Sequence, residues 1–213
     1  MNTIESTPAV QRQLILKVAF WIFLIVFAAR FVIRDALPYF GFSEDVFGRF
    51  WGMKWWLTGH ITGGLLAIAI GPFQFWPAFR NKYLKVHRML GRFYLGGILL
   101  ASLSSIGLIF TTAVAIHWTW SVALGSLSFA WLATASMAYI AIRKRRINMH
   151  KEWMIRSYVV TFGFVLFRWM VDLPFLYELS PEFVFRGPTV GWACWVFPLF
   201  ITEMILSWYR DKN

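Results

Sequence analysis

Four histidines carry most of the chemistry the sequence offers: His60, His87, His117 and His150. Neutral imidazole is a good ligand for transition metals and changes charge near neutral pH. Two imidazoles facing each other from neighbouring helices are what the iron of a haem b takes. The positions of the histidines along the chain predict two layers, His87 with His150 and His60 with His117. The expected cofactor is therefore haem b, one in each layer. Arg88, Arg92 and Arg156 stand near the first pair and suit haem propionates. His87 and His150 are equally a metal pair that Glu152 or Glu203 would complete for zinc or non-haem iron. No HExxH signature accompanies them. Each of His60, His87 and His150 alone fits a hydrogen-bonded structural histidine as well, and His117 a solvated one. The single cysteine, Cys194, excludes an intrachain disulfide framework. No residue set specifies a catalysed reaction.

The elements that must position these residues are membrane spans. Of 213 residues, 59% are apolar, more than a soluble domain of this size can hide. They fall in six blocks, at about residues 14–33, 56–75, 93–113, 118–142, 154–175 and 190–208, each near the ~20 residues that cross hydrocarbon as a helix. The predicted fold is an all-α polytopic membrane helix bundle of about six transmembrane helices, one domain over residues 1–213. The segment with Glu5, Arg12 and Lys17 leads into a block that ends at Arg30 and Arg34 without a small-residue cleavage site, so it reads as a retained span.

A net charge of +11 suggests nucleic acid until its distribution is considered. The cations sit in short loops between apolar blocks. Arg80, Lys82, Lys85, Arg88 and Arg92 share one loop with no acid, and Arg143, Lys144, Arg145, Arg146, Lys151 and Arg156 share another with only Glu152. By the positive-inside rule both loops are cytoplasmic, and six spans then put both termini there too. The partner is the lipid bilayer and not nucleic acid. Residues 80–90 read as a short interfacial helix leading into the third span.

Polar residues inside spans turn away from lipid. At about 100° per residue, His150, Ser157, Thr161, Arg168 and Asp172 form one narrow stripe along the fifth span. Arg168 and Asp172, four apart, are expected to pair. On the second span His60, Gly64, Ala67, Gly71 and Gln74 share a face, a row of small residues between two polar ones. Such a row admits either another helix or a flat ligand. Glu203 in the sixth span needs a partner that the sequence does not name.

Three runs carry a family resemblance: residues 71–75 (GPFQF), 87–94 (HRMLGRFY) and 150–158 (HKEWMIRSY). Together they resemble the bacterial membrane family labelled domain of unknown function 2306. The resemblance implies a multi-span protein of the bacterial inner membrane. It points to His60, Gln74, His87, Arg88, Arg92, His150, Trp153, Arg156, Ser157 and Arg168; His117 lies outside the pattern. More loosely, the order of histidines is similar to that of two-haem transmembrane cytochromes b, which hold their ligands deeper in the helices. The functional expectation is haem b electron transfer, of the quinone or metal reductase kind, with a quinone or redox partner. The alternatives are a transporter-like module lined by the polar stripe, a structural accessory subunit, and a metal-dependent membrane hydrolase.

Overall fold

Helices account for nearly every one of residues 8–210, the part of the chain that the computed structural model describes. Glu5 lies outside these residues. Six long helices form the bundle: α1 (Pro8–Phe31), α2 (Lys54–Gln74), α3 (Leu84–Leu108), α4 (Trp118–Arg143), α5 (Ile147–Met170) and α6 (Phe183–Arg210). Five of them, with the turns that extend them, are long and apolar enough to cross a membrane. The exception is α5, at 24 residues long enough but more polar.

The position of α5 explains its polarity. It packs against α1, α2, α4 and α6, and Tyr94 of α3 bonds to it as well. A helix enclosed by the others has little surface for lipid to solvate, so hydroxyls and charges on it are tolerated if they find partners. Met154, Ser157, Tyr158, Val160, Thr161, Phe162 and Val165 of α5 are all buried.

The closest approach in the bundle is between α2 and α3. A Cβ on Gly63 would run into the Gly97 carbonyl oxygen and Ala101. Glycine is required there because backbone meets backbone. Further along α2, the ring of Tyr158 occupies the space that a Cβ on Gly71 would need. Gly64, one residue on from Gly63, faces open space.

The spans run longer than the apolar blocks. α3 starts at Leu84, so His87, Arg88 and Arg92 lie on its first turns. The expected interfacial helix at 80–90 is divided: Pro77–Lys82 is a short helix of its own, and Tyr83 breaks the chain with φ −127° and ψ 55°. Hydropathy finds the part of a helix in hydrocarbon and misses turns that project into the polar interface. Two π-helical turns also interrupt the spans, at Val32–Ala36 after α1 and at Ile109–Ala113 after α3.

The ends of the bundle differ in charge. Arg210 at the end of α6 reaches Glu152 in the first turns of α5 at 3.5 Å, which places these termini together. The basic loops lie at this end, here the basic end. Asp35, Glu44, Asp45, Asp172, Glu178 and Glu182 lie at the opposite end, mixed with Arg34, Arg49, Lys54, Arg168 and Arg186; it is here the acidic end because most of the chain's acids are there.

Candidate functional site

The acidic end holds a cavity of about 430 Å³ to which all six long helices or their extensions contribute. Both π-helical turns open into it, one delivering Asp35 and the other Thr112. Such turns widen a helix locally, and they recur at functional sites. The row of small residues on α2 lines it at His60 and Gly64, while at Gly71 it is closed by Tyr158. The row thus serves helix packing in its basic half and a cavity in its acidic half. Trp120, Phe164 and Phe167 supply apolar walls.

Arg168 and Asp172 both line the cavity, and both are exposed within it. They do not pair with each other. Asp172 lies in the turn beyond Met170, the last residue of α5, and each side chain lines the open volume instead. Arg168 lies within electrostatic reach of His60. Asp35 has one carboxylate oxygen, Oδ2, that is buried without a partner. Arg49 leans over the ring of Phe50, 5.3 Å from its centroid. Arg186 also lines the cavity, but its guanidinium is bound by the carbonyls of Val171, Ser180 and Pro181.

At the floor of the cavity, Trp131 and Thr161 begin a buried hydrogen-bonded column. Trp131 Nε1–H donates to Thr161 Oγ1 at 2.7 Å. The Thr161 hydroxyl donates to the Ser157 carbonyl at 2.8 Å. Tyr94 OH lies 3.3 Å from Thr161 Oγ1 and 2.9 Å from Ser157 Oγ. The protons balance if Ser157 donates to Tyr94 and Tyr94 donates to Thr161. Three helices are joined by this network at the depth where the cavity ends.

The tautomers of three histidines follow from their partners. His60 Nδ1–H donates to the Ala101 carbonyl at 3.1 Å, and His150 Nδ1–H to the Ala138 carbonyl at 2.9 Å. A carbonyl only accepts, so in the neutral ring the lone pair is on Nε2. His117 is the reverse. The Thr119 backbone N–H donates to its Nδ1 at 3.3 Å, making His117 the N-cap of α4. Its neutral Nε2 then carries the proton and has no lone pair for iron. Nor does His117 line the cavity with His60.

At the basic end, His150, Arg80 and Arg88 are within electrostatic reach of His87. The Nδ1 of His87 is buried and unpartnered. The Gln74 amide donates to the His87 carbonyl at 3.5 Å. Arg88 and Arg92 are exposed. Arg156 is buried and ion-paired to Glu203 through two nitrogens, with Glu152 at 3.4 Å, so its guanidinium ties α5 to α6. This also supplies the partner that Glu203 lacked in the sequence. Among the described residues, no group of three or more His, Cys, Asp and Glu side chains could hold a metal ion.

Sequence reasoning placed Ser157, Thr161, Arg168 and Asp172 on one face, and the structure divides them: Ser157 in the column, Arg168 and Asp172 in the cavity, and Thr161 where the two meet. It missed Trp131, Asp35, Arg49 and Thr112 as parts of one site. Asp35 and Arg49 read as loop charges, and only the π-helical turn and the short helices before α2 bring them inward.

Apolar helices joined by short charged loops around a polar interior make this a multi-span membrane protein. The chain belongs to the family described as predicted membrane protein, domain of unknown function 2306, which matches residues 57–206. No curated protein and no solved structure matches the chain.

Proposed function

We propose that the protein binds a small solute in the acidic-end cavity and acts as a transporter-like module of the bacterial inner membrane. The observation that carries this reading is one continuous arrangement. A cavity open at one end stops at the Trp131–Thr161–Tyr94–Ser157 network, and polar groups resume beyond it at Gln74, His87 and His150. A solute site closed on one side by interhelical hydrogen bonds is what alternating access requires. The positive-inside rule supports a cytoplasmic basic end, with both termini there and the cavity facing outward.

Accessibility of added thiols tests the reading. Native Cys194 is fully buried, so an added cysteine is the reactive one. Gly64→Cys is expected to react with a membrane-impermeant maleimide applied to the acidic side, and Ser157→Cys to stay unreacted. Absence of labelling at Gly64→Cys in folded protein, or labelling only from the basic side, would overturn the reading.

A second reading is haem b electron transfer with a quinone or other redox partner. What favours it is the pair of tautomers at His60 and His150, each presenting Nε2 as an iron ligand does when its other nitrogen is held by a carbonyl. His87 lies within electrostatic reach of His150, and Arg88 and Arg92 stand at that end for propionates. Dithionite-reduced minus oxidised spectra of the purified protein test it; no Soret band and no iron end it.

A further inference from the structure

The groups lining the cavity specify a ligand. Among the described residues, two guanidinium groups, Arg49 and Arg168, have no carboxylate partner, and two carboxylates, Asp35 and Asp172, have no cationic partner. The cavity walls thus carry charges of both signs that are not spent on each other, two aspartates against Arg49, Arg168 and the carbonyl-bound Arg186. A buried unpaired carboxylate oxygen such as Asp35 Oδ2 is costly, and a native protein keeps one where something else satisfies it. His60 presents an acceptor, Nε2, because its Nδ1–H is fixed on Ala101.

These facts exclude simple ligands in turn. A plain anion would satisfy the arginines and leave Asp35 and His60 facing more negative charge. A plain cation would do the reverse. A quinone offers only acceptors, and Asp35 and His60 need donors. A molecule with an ammonium for Asp35 and His60, an acid group for Arg168 or Arg49, and an apolar body for Trp120, Phe164 and Phe167 meets both signs of charge and the apolar wall at once. We infer that the cavity takes a zwitterionic amphiphile of the apolar α-amino acid class. This rests on the solute-binding reading above and names its substrate class.

Protection of Gly64→Cys from maleimide tests the inference in the full-length protein. The probes are L-phenylalanine, phenethylamine and 3-phenylpropionate: one apolar body with both charges, the ammonium alone or the carboxylate alone. L-Phenylalanine is expected to slow labelling at a concentration at least tenfold below that needed for either half-molecule. Asp35→Asn should remove its advantage over phenylpropionate, and Arg168→Gln its advantage over phenethylamine. Equal protection by all three probes would overturn the inference, and so would no protection by phenylalanine. In both cases labelling of Gly64→Cys still stands as evidence for the open cavity. Loss of that labelling in the unliganded protein strikes the solute-binding reading instead. A monodisperse elution profile for each variant keeps misfolding from imitating either result.

Discussion

Thr161 is the residue on which the cavity floor turns. Its hydroxyl oxygen is the acceptor for the Trp131 indole, and Trp131 is buried at 1% exposure. Thr161→Val preserves shape and leaves that N–H orphaned, at a cost of about 1–3 kcal/mol. Ser157→Ala leaves Tyr94 with Thr161 as a partner and should cost about 0.6 kcal/mol, the size of an ordinary interhelical hydrogen bond in a membrane. Thermal unfolding in detergent should therefore show a clearly larger fall for Thr161→Val. A similar contrast separates two roles for His117. As an N-cap it is replaceable by Ser, whereas Ala should cost about 0.5–2 kcal/mol. Wild-type melting and an unchanged visible spectrum in His117→Ser are the expected result; loss of a haem signal in that variant would assign it to iron instead.

At the scale of elements, adjacent glycines on α2 have opposite tolerances. Gly63→Ala drives a methyl into the backbone of α3, where no side chain can move aside. Gly64→Ala points into open space. Expression and melting temperature should drop sharply for the first and stay near wild type for the second. If both were tolerated, the α2–α3 crossing would be wider than described. The same helices show how much of the site was legible. A row of small residues on α2 was visible from spacing, because helical geometry alone fixes which residues share a face. What fills each slot was not, because Tyr158 and the cavity are contributed by other helices. The pairing of Arg156 with Glu203 was hidden for the same reason: the two are 47 residues apart, and only the packing of α6 on α5 joins them. The π-helical turns left no pattern to read. They carry no glycine or proline, in residues 32–36 or in 109–113.

The whole molecule is organised by charge and by enclosure. Six blocks and the sign of their loops were readable because water and lipid sort side chains strongly, and that sorting does not depend on tertiary contacts. Fusions of a periplasm-active reporter, such as alkaline phosphatase, should be inactive after residues 82 and 145 and active after residues 45 and 180. A reversed pattern would place the cavity on the cytoplasmic side. The pairing of Arg168 with Asp172, expected from spacing, does not form: α5 ends at Met170, so Asp172 stands in the turn beyond it, and both side chains line the cavity.

The enclosure of α5 has a consequence for how the protein is made. Its sequence includes Arg156 and Arg168 within a segment that must end up among lipid-facing helices. Arg168 is in the last turn of α5, whereas Arg156 lies well inside it, and an arginine at a helix centre opposes entry from the translocon by about 2.5–3.5 kcal/mol. Glu152, one turn before Arg156, offsets part of that cost within α5, and Glu203 completes the pairing only once α6 is made, so the last two helices are expected to enter the bilayer together. Truncation after residue 180 should therefore lower the yield of folded protein, because it leaves Arg156 without Glu203.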